Sequence, residues 1–141
     1  MKIEINNLTG TPVISKAVDK KVFSTVAKIV LKGENRKIET LSLAFVVKEE
    51  IKKLNKKFRG KNKATDVLSF ELGEGDVFGE IVICPAVVKE NAEKYGVTVK
   101  TEMIRMFIHG ILHLCGYDHE RSKKEEKIME EKQEKYLSLV N

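Results

Sequence analysis

HGILHLCGYDH, running from His109 to His119, contains every histidine of a 141-residue chain. His109 and His113 are four apart, so on a helix their rings project from one face about one turn from each other, where two nitrogens can reach one ion. His119 is ten positions beyond His109. On a continuing helix it would lie about 15 Å along the axis, far outside a site with Zn–N bonds of about 2.0–2.1 Å. The spacing therefore predicts a helix that stops after His113. Gly116 stands midway between His113 and His119, and glycine readily takes the left-handed conformation that ends helices. Histidine pairs on helices are usually ordinary surface or core residues. The third histidine, the placed stop and the lack of histidine elsewhere favour one bound metal per chain. Three imidazoles suit Zn2+ by ligand softness, with Ni2+, cobalt or copper compatible. Three protein ligands with a fourth position open is also the catalytic pattern. Cys115 is the nearest candidate for a closing ligand, but at about 100° per residue it points away from the face of His109 and His113. It and Cys84, which lies in the apolar run IVIC, read as small buried hydrophobes.

Outward from this block, the remaining pattern predicts an α+β fold. KIEIN at the start alternates at period two. After Pro12, Ile14, Val18, Val22, Val26 and Val30 recur every four positions until Gly33, an amphipathic helix. Ile38 to Val47 reads as a strand, and KEEIKKLNKKF as a helix whose apolar contacts are Ile51, Leu54 and Phe58. TDVLSFEL and FGEIVIC read as two strands joined by the glycine-rich GEGDVFG. PAVVKENAEKY up to Gly96, Thr101 to Leu114, and SKKEEKIMEEKQEKYLSLV follow as helices. The expectation is a single domain over residues 1–141: a small mixed sheet of about four strands packed with helices, one of them a zincin-like metal-binding helix. Strand order does not follow from the pattern.

The charge balance permits an anionic partner without requiring one. The formal net charge is +5, and 33% of residues are charged, mostly Lys and Glu. Such a surface also suits heat-adapted proteins. No stretch approaches the roughly 18 apolar residues of a membrane span, and MKIEINNLTG lacks a secretory apolar region. A cytoplasmic location is expected, with no membrane partner.

The spacing H-x3-H-x2-G-x2-H is shared with metzincin proteases, which place a glutamate general base after the first histidine. This chain has Gly110 there. No Met-turn is visible either, since Met129 falls in a strongly charged helical segment.

Three segments resemble the YbeY family of bacterial endoribonucleases. HGILHLCGYDHE is similar to that family's HGxLHLxGYDH signature, LNKKFRGKNKATDVLSFEL to its LNxxyRgkdxpTDVLSF stretch, and FGEIVIC to its lGDIvIs. Glu80 replaces the usual Asp and Ala64 a frequent Pro. Neither departure removes a metal ligand. The resemblance implies a single-strand-directed, metal-dependent endoribonuclease of rRNA maturation, acting at the 16S rRNA 3′ end and in ribosome quality control. It further implies His109, His113 and His119 as ligands, Arg59 as a functional arginine, and RNA (an rRNA precursor) and the ribosome or a ribosomal subunit as partners.

The chemistry makes independent sense of Arg59, whose planar fork of donors matches phosphate oxygens. Lys52 to Lys63 surrounds it with six lysines, among which Lys56, Lys57 and Lys61 are candidate RNA contacts. A solvated helix face would look the same. Phe58, the aromatic of this segment, falls on the core stripe, so no base-stacking platform is expected from it. Thr65 and Asp66 are expected to begin a strand and satisfy local backbone groups. Ser69 can face solvent or a cleft, and Asp118 can orient an imidazole or stabilise a turn. In the metal-dependent endoribonuclease so expected, zinc would lower the pKa of bound water toward about 7 and polarise a phosphoryl oxygen. Arg59 would stabilise the transition state. A metalloprotease using Glu80 or Glu120 as a replacement base, and a noncatalytic RNA-binding module with a structural metal, are the rivals.

Overall fold

Period-two alternation in TLSLAF sends Leu41, Leu43 and Phe45 into one hydrophobic core while Ala44 joins another on the opposite face. The sheet is thus covered on both sides. The computed structural model describes residues 1–12, 20–71 and 78–140. Within them the strands are Lys2–Asn7 (β1), Thr40–Phe45 (β2), Val67–Glu71 (β3) and Phe78–Ile83 (β4). The helices are Lys20–Gly33 (α1), Lys48–Arg59 (α2), Pro85–Tyr95 (α3), Val99–Leu114 (α4) and Lys123–Val140 (α5). The expected start of the first helix at Ile14 and Val18, and residues 72–77 of the glycine-rich connection, lie outside the described residues.

The sheet is mixed, in the order β1-β2-β4-β3, with β1, β2 and β4 parallel and β3 antiparallel to β4. The small mixed sheet and the α+β class are as expected from the sequence. In the β2–β4 register Leu43 lies opposite Ile81 and Phe45 opposite Ile83, and all four side chains are buried on one face. Helices α1, α4 and α5 supply most of the rest of that core, where Phe23 meets Phe107 edge-on at 5.0 Å, and Ile3 of β1 and Val88 of α3 join it. Helix α2 covers the other face. Its Ile51 packs with Ala44, Val46, Leu68, Val82 and Cys84.

Helix α4 is the centre of the molecule, touching β3, β4, α1, α3 and α5. It is capped by the Thr98 side chain, which accepts from the Thr101 N–H at 3.1 Å, and so begins at Val99, two residues before the expected start at Thr101. Gly110 lets it lie on the sheet. A Cβ there would come within 2.9–3.1 Å of three Ile81 side-chain carbons.

One expectation about the core fails. Phe58 is 56% exposed rather than buried. Its helical stripe is the one that buries Ile51, but at the last turn of α2 the sheet beneath is the edge strand β3, where Phe58 meets Phe70 at 5.0 Å. Among the described residues no further strand lies there to cover it.

Candidate functional site

Gly116, at φ +101°, ends α4 as the histidine spacing requires. The Gly116 N–H donates to His113 O at 3.0 Å and the Tyr117 N–H to Leu112 O at 3.2 Å, so the chain folds back over the last turn. The three imidazoles meet as a result. Ring centroids are 5.9 Å apart for His109 and His113, 5.8 Å for His113 and His119, and 5.0 Å for His109 and His119. The fold-back is anchored from below. The Tyr117 hydroxyl donates to Glu34 Oε1 at 2.5 Å, and Lys132 Nζ and the Tyr136 hydroxyl bind Oε2 of the same carboxylate. Burial pushes the Glu34 carboxyl up, yet these donors together hold it below its usual range.

Burial lowers the pKa of both His109 and His113, so the pair is disposed to be neutral, the form that ligates metals. His109 Nδ1–H donates to Gln133 Oε1 at 2.9 Å. His113 Nε2 and His119 Nδ1 are buried with no hydrogen-bond partner. Buried imidazole nitrogens left unpaired cost free energy unless something binds them. Ligand atoms of His113, Asp118 and His119 lie within 4.8 Å of one another, a spacing that suits one metal ion; of the three expected ligands His109 stands outside this group and Asp118 takes a place in it. Asp118 also serves its turn, since Oδ1 accepts from the Glu120 N–H at 2.9 Å. Neither cysteine belongs to this group.

The histidines line a cleft of about 500 Å³ whose other walls come from β3, the segment after α2, and α5. Arg59 and Lys61 line it too, whereas Lys56 and Lys57 do not; Lys57 Nζ sits 5.2 Å over the Phe58 ring. Arg59 Nη2 and Lys61 Nζ each lie 2.8 Å from a different oxygen of Glu120. Lys61 foremost, then Arg59, holds the Glu120 carboxyl at about 2. Asn55, buried on α2, braces the segment that carries Lys61, donating Nδ2–H to Lys63 O at 3.0 Å.

Several smaller expectations resolve. The Val67 N–H donates to Asp66 Oδ1 at 2.8 Å, so Asp66 caps the start of β3. Ser69 faces the cleft and donates to Gly110 O at 3.1 Å. Glu80 is hydrogen-bonded by Ser42 at 3.4 Å and does not line the cleft. The protease alternative thus loses one replacement base, and the other, Glu120, is paired with two cations. Gln133 and Glu34 were not singled out from the sequence. Gln133 carried a weak signal, a polar residue on the Met129 and Leu137 stripe of α5. Glu34 carried none.

A family model described as Endoribonuclease YbeY matches residues 4–141. Curated relatives named Endoribonuclease YbeY include one from Thermotoga maritima, 50% identical over 71% of this chain and 67% of its own length. Another from Thermosipho melanesiensis is 41% identical over 86% and 88% of the two chains. A third, from a Sulfurihydrogenibium species, is 37% identical over 94% and 91%. A solution structure from Thermotoga maritima, 40% identical, superposes with a TM-score of 0.64 over 98% of this chain and 88% of that one.

Proposed function

Because the chain belongs to the YbeY endoribonuclease family, we propose that it is a zinc-dependent enzyme cleaving single-stranded RNA in the cleft built on α4. The ligands are His109, His113 and His119. The substrates are rRNA precursors handled on or near the ribosome in the cytoplasm, with maturation of the 16S rRNA 3′ end and ribosome quality control as the setting.

The observation that carries this reading is the pair of buried, unpartnered nitrogens on His113 and His119 in the same cleft as Arg59. When bound, the ion supplies Lewis-acid polarisation of a phosphoryl oxygen and a nucleophile at neutral pH. The chain's own residues do the rest. Gln133 holds His109 in the tautomer that leaves Nε2 without a proton. Arg59 presents its fork to the non-bridging phosphate oxygens, where charge develops in the transition state. Glu120 and Lys61 keep that guanidinium at the cleft wall until substrate arrives. Lys56 and Lys57, outside the cleft, track the backbone at longer range.

The closeness of Asp118 to His113 and His119 favours one other reading, a structural ion closed by four protein ligands in a noncatalytic RNA-binding module. X-ray absorption separates the two by coordination: an exchangeable oxygen ligand supports the enzyme, a closed protein set the module. The direct test is single-turnover cleavage of an rRNA precursor beside elemental analysis. His113→Ala should lose stoichiometric metal and cleavage together, and full metal retention in that variant overturns the ligand assignment.

A further inference from the structure

We propose that Tyr95 is the platform on which an unpaired nucleobase of the RNA stacks while its neighbouring phosphate is at Arg59. Tyr95 is the last residue of α3, 59% exposed, and it lines the same cleft as the three histidines. An aromatic ring left in water at the wall of a cleft gains by being covered. Among the described residues the other well-exposed aromatic is Phe58, which leans on Phe70 and does not line the cleft. Tyr95 also has a cation at hand, with Lys94 Nζ 5.5 Å from its ring centroid.

Charge in the cleft says which part of a nucleotide belongs where. Arg59 and Lys61 come from the end of α2 and the segment after it, and they suit phosphate. Glu126 and Glu130 enter the same cleft from α5 and repel it. A neutral, planar base carrying amino donors is compatible with those carboxylates and with the Tyr95 face; a second phosphate is not. Bases in a duplex have both faces occupied, so this subsite admits only unpaired RNA.

The inference rests on the endoribonuclease reading and deepens it. The chain contains no tryptophan, so Tyr95→Trp installs a single reporter in the cleft. Its emission should be quenched by a single-stranded oligoribonucleotide and not by the same sequence as duplex. Tyr95→Ala should weaken single-strand affinity on the order of ten-fold, while Tyr95→Phe keeps it. An oligoribonucleotide with one abasic residue beside the cleavage site should cost the wild type a similar factor and cost Tyr95→Ala nothing. Equal binding of intact and abasic strands by the wild type, or unchanged affinity in Tyr95→Ala, overturns the stacking role. Metal-loaded wild type that neither binds nor cleaves any RNA instead brings down the endoribonuclease reading, and the subsite with it.

Discussion

His109 on α4 and Gln133 on α5 are joined by a 2.9 Å hydrogen bond that fixes which ring nitrogen faces the cleft. The amide oxygen can only accept, so Nδ1 carries the proton and Nε2 keeps its lone pair. In the proposed site Gln133 would therefore act on the metal through His109. Gln133→Leu should weaken zinc binding by about 10–100-fold, as loss of such outer partners generally does. Competition against a chromophoric chelator reads this directly, and unchanged affinity would remove Gln133 from the site.

Arg59 is held by Glu120 at 2.8 Å and has no lone pair to offer an ion, so its variants should keep their metal. Arg59→Lys retains the charge and loses the fork. Single-turnover cleavage should fall by about 10²-fold, the scale of one lost transition-state donor, with a smaller change in RNA affinity. Wild-type cleavage by this variant at saturating enzyme would end the assigned role.

Acid should act through the imidazoles and not through Glu120. Burial lowers His109 and His113 below 6.5, so the unfolded chain takes up their protons first as pH falls. The apo-protein's stability is full above about 6.5 and declines below it, through the folded-state values. Protonation of His109 and His113 should weaken zinc binding only below 6.5, where these two folded imidazoles take up their protons. Glu120 has the same sign with a different window: its contribution is present above 4.5 and is lost as pH falls through about 2. Glu120 bears on His113 only as the weakest of the surrounding influences, slightly favouring its protonated form, so Glu120→Gln should move the acid limb of zinc binding a little toward lower pH and leave it otherwise intact. A limb that vanished with this substitution would assign the titration to the carboxylate.

Gly110→Ala tests how tightly α4 is seated. In a free helix the change would gain about 0.5–1 kcal/mol. Here the new methyl meets Ile81 at 2.9–3.1 Å, and overpacking typically costs about 1–3 kcal/mol. The clash should win, lowering the melting temperature by roughly 2–6 °C. In an Ile81→Ala background the same substitution should cost less, and thermal denaturation of the four variants measures that coupling.

The parts of the site that were legible in the sequence are those fixed over short range. The spacing of His109, His113, Gly116 and His119 specifies a helix, its end and the return of the chain, because each step is decided within a turn or two. Asp66 at the start of β3 was legible for the same reason. What escaped depends on pieces brought together from far along the chain. Gln133 became visible only once α5 lay against α4, 24 residues from His109. Glu34 reaches Tyr117 across 83 residues. The exposure of Phe58 follows from β3 being at the sheet edge, and strand order depends on pairings that local periodicity does not encode. The three carbon contacts awaiting a Cβ at Gly110 belong to the same class.

Those contacts bear on what this scaffold can be made to do. Installing a glutamate at position 110, the change that would complete the protease-type motif, asks the helix for a side chain where Ile81 already stands. The carboxylate could enter only if α4 lifted from the sheet, carrying His109 and His113 with it. A redesign toward peptide hydrolysis must begin with a smaller residue at position 81 on the sheet floor, well before any change to the metal's own neighbours.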